Sequence, residues 1–169
     1  MLRTLVIAAS TVLPALPVAA QDIAAADVVN RDGDSIGTVS VSARASGTAL
    51  VTIALNDIPE GEHAVHLHET GDCSAEDFTS AGGHIAGDRP HGIDAEGGPH
   101  PGDLPNVIVQ DDGIINAQFF NPHLVMVDMI LDEDGSAFVM HEGADDYETQ
   151  PAGDAGDRIA CGVFVQSVD

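Results

Sequence analysis

The sequence contains no lysine, and its positive charge is limited to five arginines. Against these stand 28 acidic residues, which give a formal net charge of −23 at pH 7. A surface this acidic repels other polyanions, so we expect neither nucleic acid nor an anionic lipid surface as a partner. The acidity itself is explained most simply as a device for solubility or as adaptation to salty surroundings.

Long hydrophobic runs are also missing, except at the N-terminus. Arg3 precedes an apolar run over residues 5–18, and Val18-Ala19-Ala20 ends it with a cleavage-type sequence. The run is too short for a comfortable membrane span and has the layout of a secretory signal peptide. We therefore predict a signal peptide over residues 1–20 and one exported domain over residues 21–169. A buried N-terminal helix is the weaker alternative.

Cysteine is scarce, with only Cys73 and Cys161. An even number of cysteines in an exported protein favours a disulfide, whereas the same pair in the cytosol would favour free thiols. We expect the bonded form.

Helical periodicity is nearly absent, and short segments of alternating apolar and polar residues take its place. Asp-Gly turns at Gly33, Gly113 and Gly135 punctuate them. Eight such segments predict an all-β fold, an antiparallel sandwich or barrel. They cover residues 39–43, 51–55, 63–69, 106–110, 114–119, 124–131, 137–141 and 159–165. Two long Gly-rich loops, residues 69–103 and 143–157, interrupt the pattern, and loops of this length are usually functional.

Metal-ligand side chains recur in a fixed order along the chain. His66 and His68 are two apart in an alternating segment, so both point to one face of a strand and can bind one metal. Alone, this pair is as often a packing feature as a ligand pair, but five further candidates follow it. The full set is His66, His68, His84, His91, His100, Asp103 and His141. Imidazole suits copper and zinc, and a carboxylate favours zinc, so the set argues for two metals.

The segments that carry these residues resemble the copper/zinc superoxide dismutase family, specifically its bacterial exported branch. The match runs from about Gly33 to Val165 and rests on five motifs. They are Gly61 to Glu69 (GEHAVHLHE), Gly71 to His84 with its cysteine, His100 to Leu104 (HPGDL), His141 to Asp146 (HEGADD), and Arg158 to Gly162 (RIACG).

This resemblance implies a flattened eight-stranded Greek-key β-barrel with two functional loops, a periplasmic or secreted location and both copper and zinc. Carried over by position, it implies copper ligands His66, His68, His84 and His141, and zinc ligands His84, His91, His100 and Asp103. His84 would bridge the metals, Asp145 would link a copper histidine to a zinc histidine, Arg158 would guide the substrate, and Cys73 would bond Cys161. The two catalytic residues implied are Arg158 and His84.

The implied reaction is dismutation of superoxide to oxygen and hydrogen peroxide. Two alternatives stay open: a non-enzymatic copper- or zinc-binding or copper-delivery module, and a copper-only dismutase with an impaired zinc site. A homodimer is compatible with the resemblance, since members of this branch occur as monomers and as dimers. His63 faces away from His66 and is expected to be a hydrogen-bonded framework residue, and His123 a surface-loop histidine.

Overall fold

The computed structural model describes residues 23–167, and their regular secondary structure is almost entirely β-strand. The strands are β1 (Ile23–Asn30), β2 (Ser35–Ala43), β3 (Ala49–Leu55), β4 (Gly61–His63), β5 (Val65–His68), β6 (Val107–Val109), β7 (Ile115–Asn121), β8 (Ala137–His141), β9 (Arg158–Val163) and β10 (Val165–Ser167). One short helix, α1 (Met126–Met129), and a 3-10 turn at Thr79–Ala81 complete the elements. The predicted signal peptide, residues 1–20, lies outside the described residues.

Eight strands form one curled antiparallel sheet in the order β5-β8-β9-β1-β2-β3-β7, with β10 also pairing with β1. The strands β4 and β6 form a separate two-stranded ladder, and only Ala64 lies between β4 and β5. The prediction of an antiparallel all-β barrel or sandwich is therefore confirmed. The turn at Gly33, with φ of 84°, joins β1 to β2 as the hairpin signal indicated.

One strand prediction needs correction, and one strand was missed. Residues 124–131 were expected to be a strand but contain α1, because Met126 and Ile130 lie one helical turn apart and are both buried. Strand β1 was not predicted, although Ala24, Ala26 and Val28 are all fully buried on one face. Alanine at position 25 and valine at position 29 occupy the opposite face, so the sequence shows no clear alternation there.

The strand β5 separates the barrel interior from the metal-ligand residues. Val65 and Leu67 pack into the main apolar core, while His66 and His68 point to the opposite face, beneath the long loops. All four residues are buried. The strand is thus covered on both faces, on one by the core and on the other by loop residues.

A second, smaller apolar cluster attaches the first long loop to the outside of the sheet. Phe78 and Ala81 from the loop pack there against Ala137 and Val139 of β8 and against Cys161 of β9. The predicted disulfide between Cys73 and Cys161 is present, and it closes a sequence separation of 88 residues. Covalent bond and apolar packing together hold this loop beside β8 and β9.

Candidate metal centre

Three of the seven ligand candidates come from adjacent strands of the sheet. His66 and His68 lie on β5, and His141 ends β8, which pairs directly with β5. The sheet alone therefore brings these three rings together, and no loop is needed to do so.

The first long loop supplies the other four candidates, and β-bridge pairing fixes two of them. His84 pairs with His68, and Asp103 pairs with His66. The two ends of the segment 84–103 are thereby attached to neighbouring positions of β5. His91 and His100 lie between them and are also buried.

The rings of His66, His68, His84 and His141 form a first group whose ligand atoms lie within 4.8 Å of one another. Each ring contributes one buried nitrogen that has no hydrogen-bonding partner among the described residues: Nδ1 of His66 and Nε2 of the other three. Buried polar atoms are normally paired, so four unpaired nitrogens at one point fit the ligand atoms of a metal ion.

Hydrogen bonds at the opposite nitrogens fix the tautomers of three of these rings. His66 Nε2 donates to Asp145 Oδ2 at 2.8 Å, His68 Nδ1 to the Gly82 carbonyl at 3.0 Å, and His141 Nδ1 to the Gly156 carbonyl at 3.2 Å. A neutral imidazole has one N–H, so the unpaired nitrogen carries a lone pair. The donor set fits a metal ion that prefers imidazole nitrogen, such as copper.

Burial keeps these rings neutral. It lowers the pKa of His66 to about 3, that of His68 to about 2 and that of His141 to about 4, and electrostatic repulsion from His84 adds to the effect. At neutral pH their lone pairs are therefore available without competition from protons.

The second group consists of His84, His91, His100 and Asp103. The Nδ1 atoms of the three rings approach a single carboxylate oxygen, Asp103 Oδ1, at 2.9, 3.1 and 3.2 Å respectively. The other carboxylate oxygen, Oδ2, accepts hydrogen bonds from the backbone N–H groups of Gly92 and His100. Three imidazole nitrogens and one carboxylate oxygen match the ligands and number that zinc takes in proteins.

The protonation of this second group also suits a dication. Burial works against protonation of His91, but the carboxylates of Asp103 and Asp145 outweigh it and raise the pKa of His91 to about 9. Burial would raise the pKa of Asp103, yet contacts with His84 and His91 hold it well below its usual range. Without metal, one proton on His91 offsets one of the two carboxylate charges, and a metal ion would displace that proton.

His84 belongs to both groups and faces them with different nitrogens. Its Nδ1 points to Asp103 and its Nε2 is one of the four unpaired nitrogens of the first group. One imidazole therefore lies between the two candidate ligand sets.

Asp145, from the second long loop, forms another link between the first and second ligand groups. One oxygen accepts from His66 Nε2 at 2.8 Å and the other from His91 Nε2 at 3.0 Å. Gly153, with φ of 70°, packs so closely that a side chain there would overlap the Asp145 carboxylate. The carboxylate is fully buried and in contact with both histidines.

Arg158 begins β9 beside the first group. Its Nη1 donates to the Phe78 carbonyl at 2.7 Å and its Nη2 to the Gly82 carbonyl at 2.8 Å. The Gly82 carbonyl also accepts from His68, so one oxygen holds both side chains. Asp157 does not pair with Arg158; its carboxylate faces Arg31 at 3.4 Å.

Several residues that hold the site were not singled out from the sequence. Gln150 binds the backbone of His91 at both N–H and C=O. Asn106 binds the backbone of Asp145, and Tyr147 binds Asn106. Their partners lie 39 to 59 positions away in the chain, so no local pattern identifies them.

The two remaining histidines behave as expected. His63 is buried, with Nδ1 2.9 Å from the His141 carbonyl and Nε2 3.0 Å from the Pro59 carbonyl. It is therefore part of the framework that positions His141. His123 lies in the loop after β7, is partly exposed and belongs to neither group. Between residues 23 and 167, no helix is both long and apolar enough to cross a membrane.

Comparison with known proteins agrees with this geometry. The family model for copper/zinc superoxide dismutase matches residues 35–164. The chain belongs to the copper/zinc superoxide dismutase family. A superoxide dismutase [Cu-Zn] of Aquifex aeolicus is 41% identical over 143 residues, covering 82% of this chain and 85% of the relative. One from Caulobacter vibrioides is 39% identical over 140 residues, covering 79% and 80%.

Solved structures support the same family. A superoxide dismutase-like protein from Bacillus subtilis has a TM-score of 0.79 and 37% identity, covering 83% of this chain and 97% of that one. The copper/zinc superoxide dismutase of Brucella abortus has a TM-score of 0.69 and 28% identity, covering 83% and 98%. The family predicted from the sequence motifs is confirmed.

Proposed function

We propose that this protein dismutates superoxide to oxygen and hydrogen peroxide, with copper in the first group and zinc in the second. The observation that carries the proposal is the position of His84, whose two ring nitrogens face two complete four-ligand sets. A non-enzymatic copper carrier has no use for a second ligand set that shares a ring with the first. A copper-only dismutase does not require His91, His100 and Asp103 to converge.

The chemistry divides between the metals and the side chains. Copper held by the first group would supply one-electron redox chemistry, and redox-silent zinc held by the second group would organise the site. The protein supplies the rest. His84 Nε2 holds a proton when it is not engaged as a ligand and delivers it to the reduced oxygen species. Together with one proton from water, this balances two superoxide anions against one oxygen and one hydrogen peroxide.

Arg158 is proposed to bind the substrate anion. Its guanidinium is fixed by the carbonyls of Phe78 and Gly82, neither of which neutralises its charge. A fixed guanidinium offers a small anion charge-assisted hydrogen bonds in a defined direction. Asp145 is proposed to keep the rings of His66 and His91 in their ligand orientations, as carboxylates commonly do for metal-bound histidine.

We also propose that the chain is exported, with removal of residues 1–20, and that it works in the periplasm. The Cys73–Cys161 disulfide supports this, because such bonds persist in oxidising compartments. N-terminal sequencing of the mature protein from cell fractions tests it. A mature chain that begins at Gln21 in the periplasmic fraction is expected, and an intact chain in the cytosol would contradict it.

The central experiment combines metal analysis with an activity assay. Purified protein loaded with copper and zinc is expected to hold one of each per chain and to suppress superoxide-driven dye reduction far beyond the same amount of free copper. The control is the same preparation after removal of metal by a chelator. One copper without zinc would favour the copper-only reading, and full metal content without activity would favour a binding module.

A further inference from the structure

The side-chain amide of Asn106 binds both the N–H and the carbonyl of the Asp145 backbone. The side-chain Oδ1 accepts from the Asp145 N–H at 2.9 Å, and Nδ2 donates to the Asp145 carbonyl at 2.9 Å. Such a two-point contact fixes the peptide on both sides of the Asp145 side chain. Because Asn106 follows Asp103 by three residues, it connects the loop segment that carries one ligand candidate to the carboxylate that bridges the two groups.

Tyr147, the chain's single tyrosine, completes this arrangement. Its hydroxyl oxygen accepts from the Asn106 backbone N–H at 2.8 Å, and its own N–H donates to Asp145 Oδ1 at 2.7 Å. Its carbonyl accepts from the Asp94 N–H at 3.2 Å, which reaches the first long loop. Tyr147 has φ of 65°, a conformation that non-glycine residues rarely adopt and that persists only where surrounding contacts hold it.

The consequence concerns the direction of the Asp145 carboxylate. Oδ1 must meet His91 Nε2 and Oδ2 must meet His66 Nε2, at 3.0 and 2.8 Å. A rotation of the Asp145 backbone would break both contacts together. Asn106 and Tyr147 supply the hydrogen bonds that prevent this rotation.

We infer that Asn106 and Tyr147 are positioning residues that lock the Asp145 carboxylate between His66 and His91 and thereby slow the loss of zinc. The inference rests on the proposed zinc role of the second group. Among the described residues, the Asn106 side chain forms hydrogen bonds with Glu62 and with the Asp145 backbone, not with a ligand candidate, so it acts through Asp145. Removal of outer contacts of this kind lowers metal affinity by up to about ten- to a hundredfold.

The test follows zinc release from copper- and zinc-loaded protein after addition of a chelator that changes colour on binding zinc. Asn106→Ala is expected to release zinc about tenfold faster than the wild type, and Tyr147→Phe, which removes only the hydroxyl, several-fold faster. Glu62→Ala is the matched control. It deletes the exposed partner that accepts from Asn106 Nδ2 at 3.2 Å and leaves the two contacts with Asp145 intact, so zinc release should not change.

A double-mutant cycle separates positioning from general loosening of the loops. If Asn106 acts through Asp145, Asn106→Ala should add nothing to the zinc release rate of Asp145→Asn, and both variants should shift the visible absorption of bound copper in the same direction. Additive rates would overturn the inference, as would wild-type release by a folded Asn106→Ala. Should Asn106→Ala not fold, Asn106→Asp and Tyr147→Phe provide the same comparison. Wild-type protein that takes up no zinc would instead refute the proposed function.

Discussion

His141 and Arg158 lie directly opposite each other on β8 and β9, at the point where the pairing register shifts after Met140. The shift leaves His141 at the end of a fully buried strand and Arg158 at the start of a partly exposed one. A candidate copper ligand and a candidate anion-binding group are therefore adjacent through backbone pairing alone. Desolvation lowers the pKa of Arg158 from its ordinary value, but the group stays charged at any physiological pH.

Replacement of Arg158 should lower activity without loss of copper. The variant Arg158→Ala removes the proposed anion-binding group. Charge-assisted hydrogen bonds are each worth about 1.5–3 kcal/mol, so we expect kcat/KM to fall about ten- to a hundredfold. The measurement is superoxide consumption alongside copper content. Arg44→Ala, which removes the same charge just beyond the end of β2, is the control. Loss of copper from the Arg158→Ala variant would show that Arg158 has a structural role instead.

The rate should stay flat or rise when salt is added. The chain carries no lysine, and its net charge of −23 becomes −24 once Arg3 is removed, so the long-range field repels superoxide. The exposed Asp154 lines a cavity of about 220 Å³ together with His141 and adds to this repulsion. Salt screens it over about 10 Å at 0.1 M. The measurement is kcat/KM between about 10 and 200 mM ionic strength.

The charge-reversed variant Asp154→Lys sharpens this test. This variant should have a higher kcat/KM at low salt, and its kcat/KM should fall as salt is added, because an attractive charge now lies on the cavity wall. A steep fall of the wild-type rate with ionic strength would contradict the prediction.

Stability of the metal-free protein should be greatest near neutral pH. The unfolded chain protonates His66, His68 and His141 below about pH 6.5, whereas the folded pKa values are about 3, 2 and 4. Acidification below 6.5 therefore favours unfolding by about 1.4 kcal/mol per pH unit for each of these histidines. His91 contributes to the pH dependence of stability with the opposite sign. Its folded pKa of about 9 adds stability that is complete below pH 6.5 and is lost as pH rises through 9.

Urea denaturation of metal-free protein at a series of pH values from 5 to 9 measures this dependence. Bound copper and zinc should weaken the pH dependence of the free energy of unfolding below neutral pH, because occupied nitrogens must lose metal before they gain protons. Metal-free stability that stays constant between pH 7 and 5 would show that the rings are not buried as neutral groups.

Reduction of the Cys73–Cys161 bond should destabilise the protein and disturb the site. The bond closes a sequence separation of 88 residues, for which the chain-entropy model gives about 4–5 kcal/mol. It also attaches the loop whose Gly82 carbonyl holds Arg158 and His68. We expect reductant to lower the free energy of unfolding and, in the part of the population that stays folded, to lower activity. Cys73→Ser in non-reducing buffer should give the same two effects.

The sequence predicted which seven side chains converge, because their motifs are local. The two-residue spacing of His66 and His68 requires only a strand, and the ordered motifs supplied the remaining positions. Asn106 and Tyr147 could not be predicted, since their contact joins residues 41 positions apart through a hydroxyl and a backbone N–H. Such pairings depend on how two loops fold against each other. Strand β1 was missed for a different reason, because small apolar residues on both faces leave no alternating pattern.

Replacement of His141 should abolish activity while the fold survives. The side chain contributes one unpaired nitrogen to the first group and one hydrogen bond to Gly156. The His63 contact involves only the His141 backbone carbonyl, which alanine retains. His141→Ala should therefore bind copper weakly, keep zinc, and unfold within a few degrees of the metal-free wild type. The measurements are metal content, dismutase activity and thermal unfolding, with His123→Ala as the control. Dismutase activity near the wild-type level in a copper-loaded variant would show that His141 is not a copper ligand. Loss of zinc together with copper would show that the two ligand groups do not hold their metals independently.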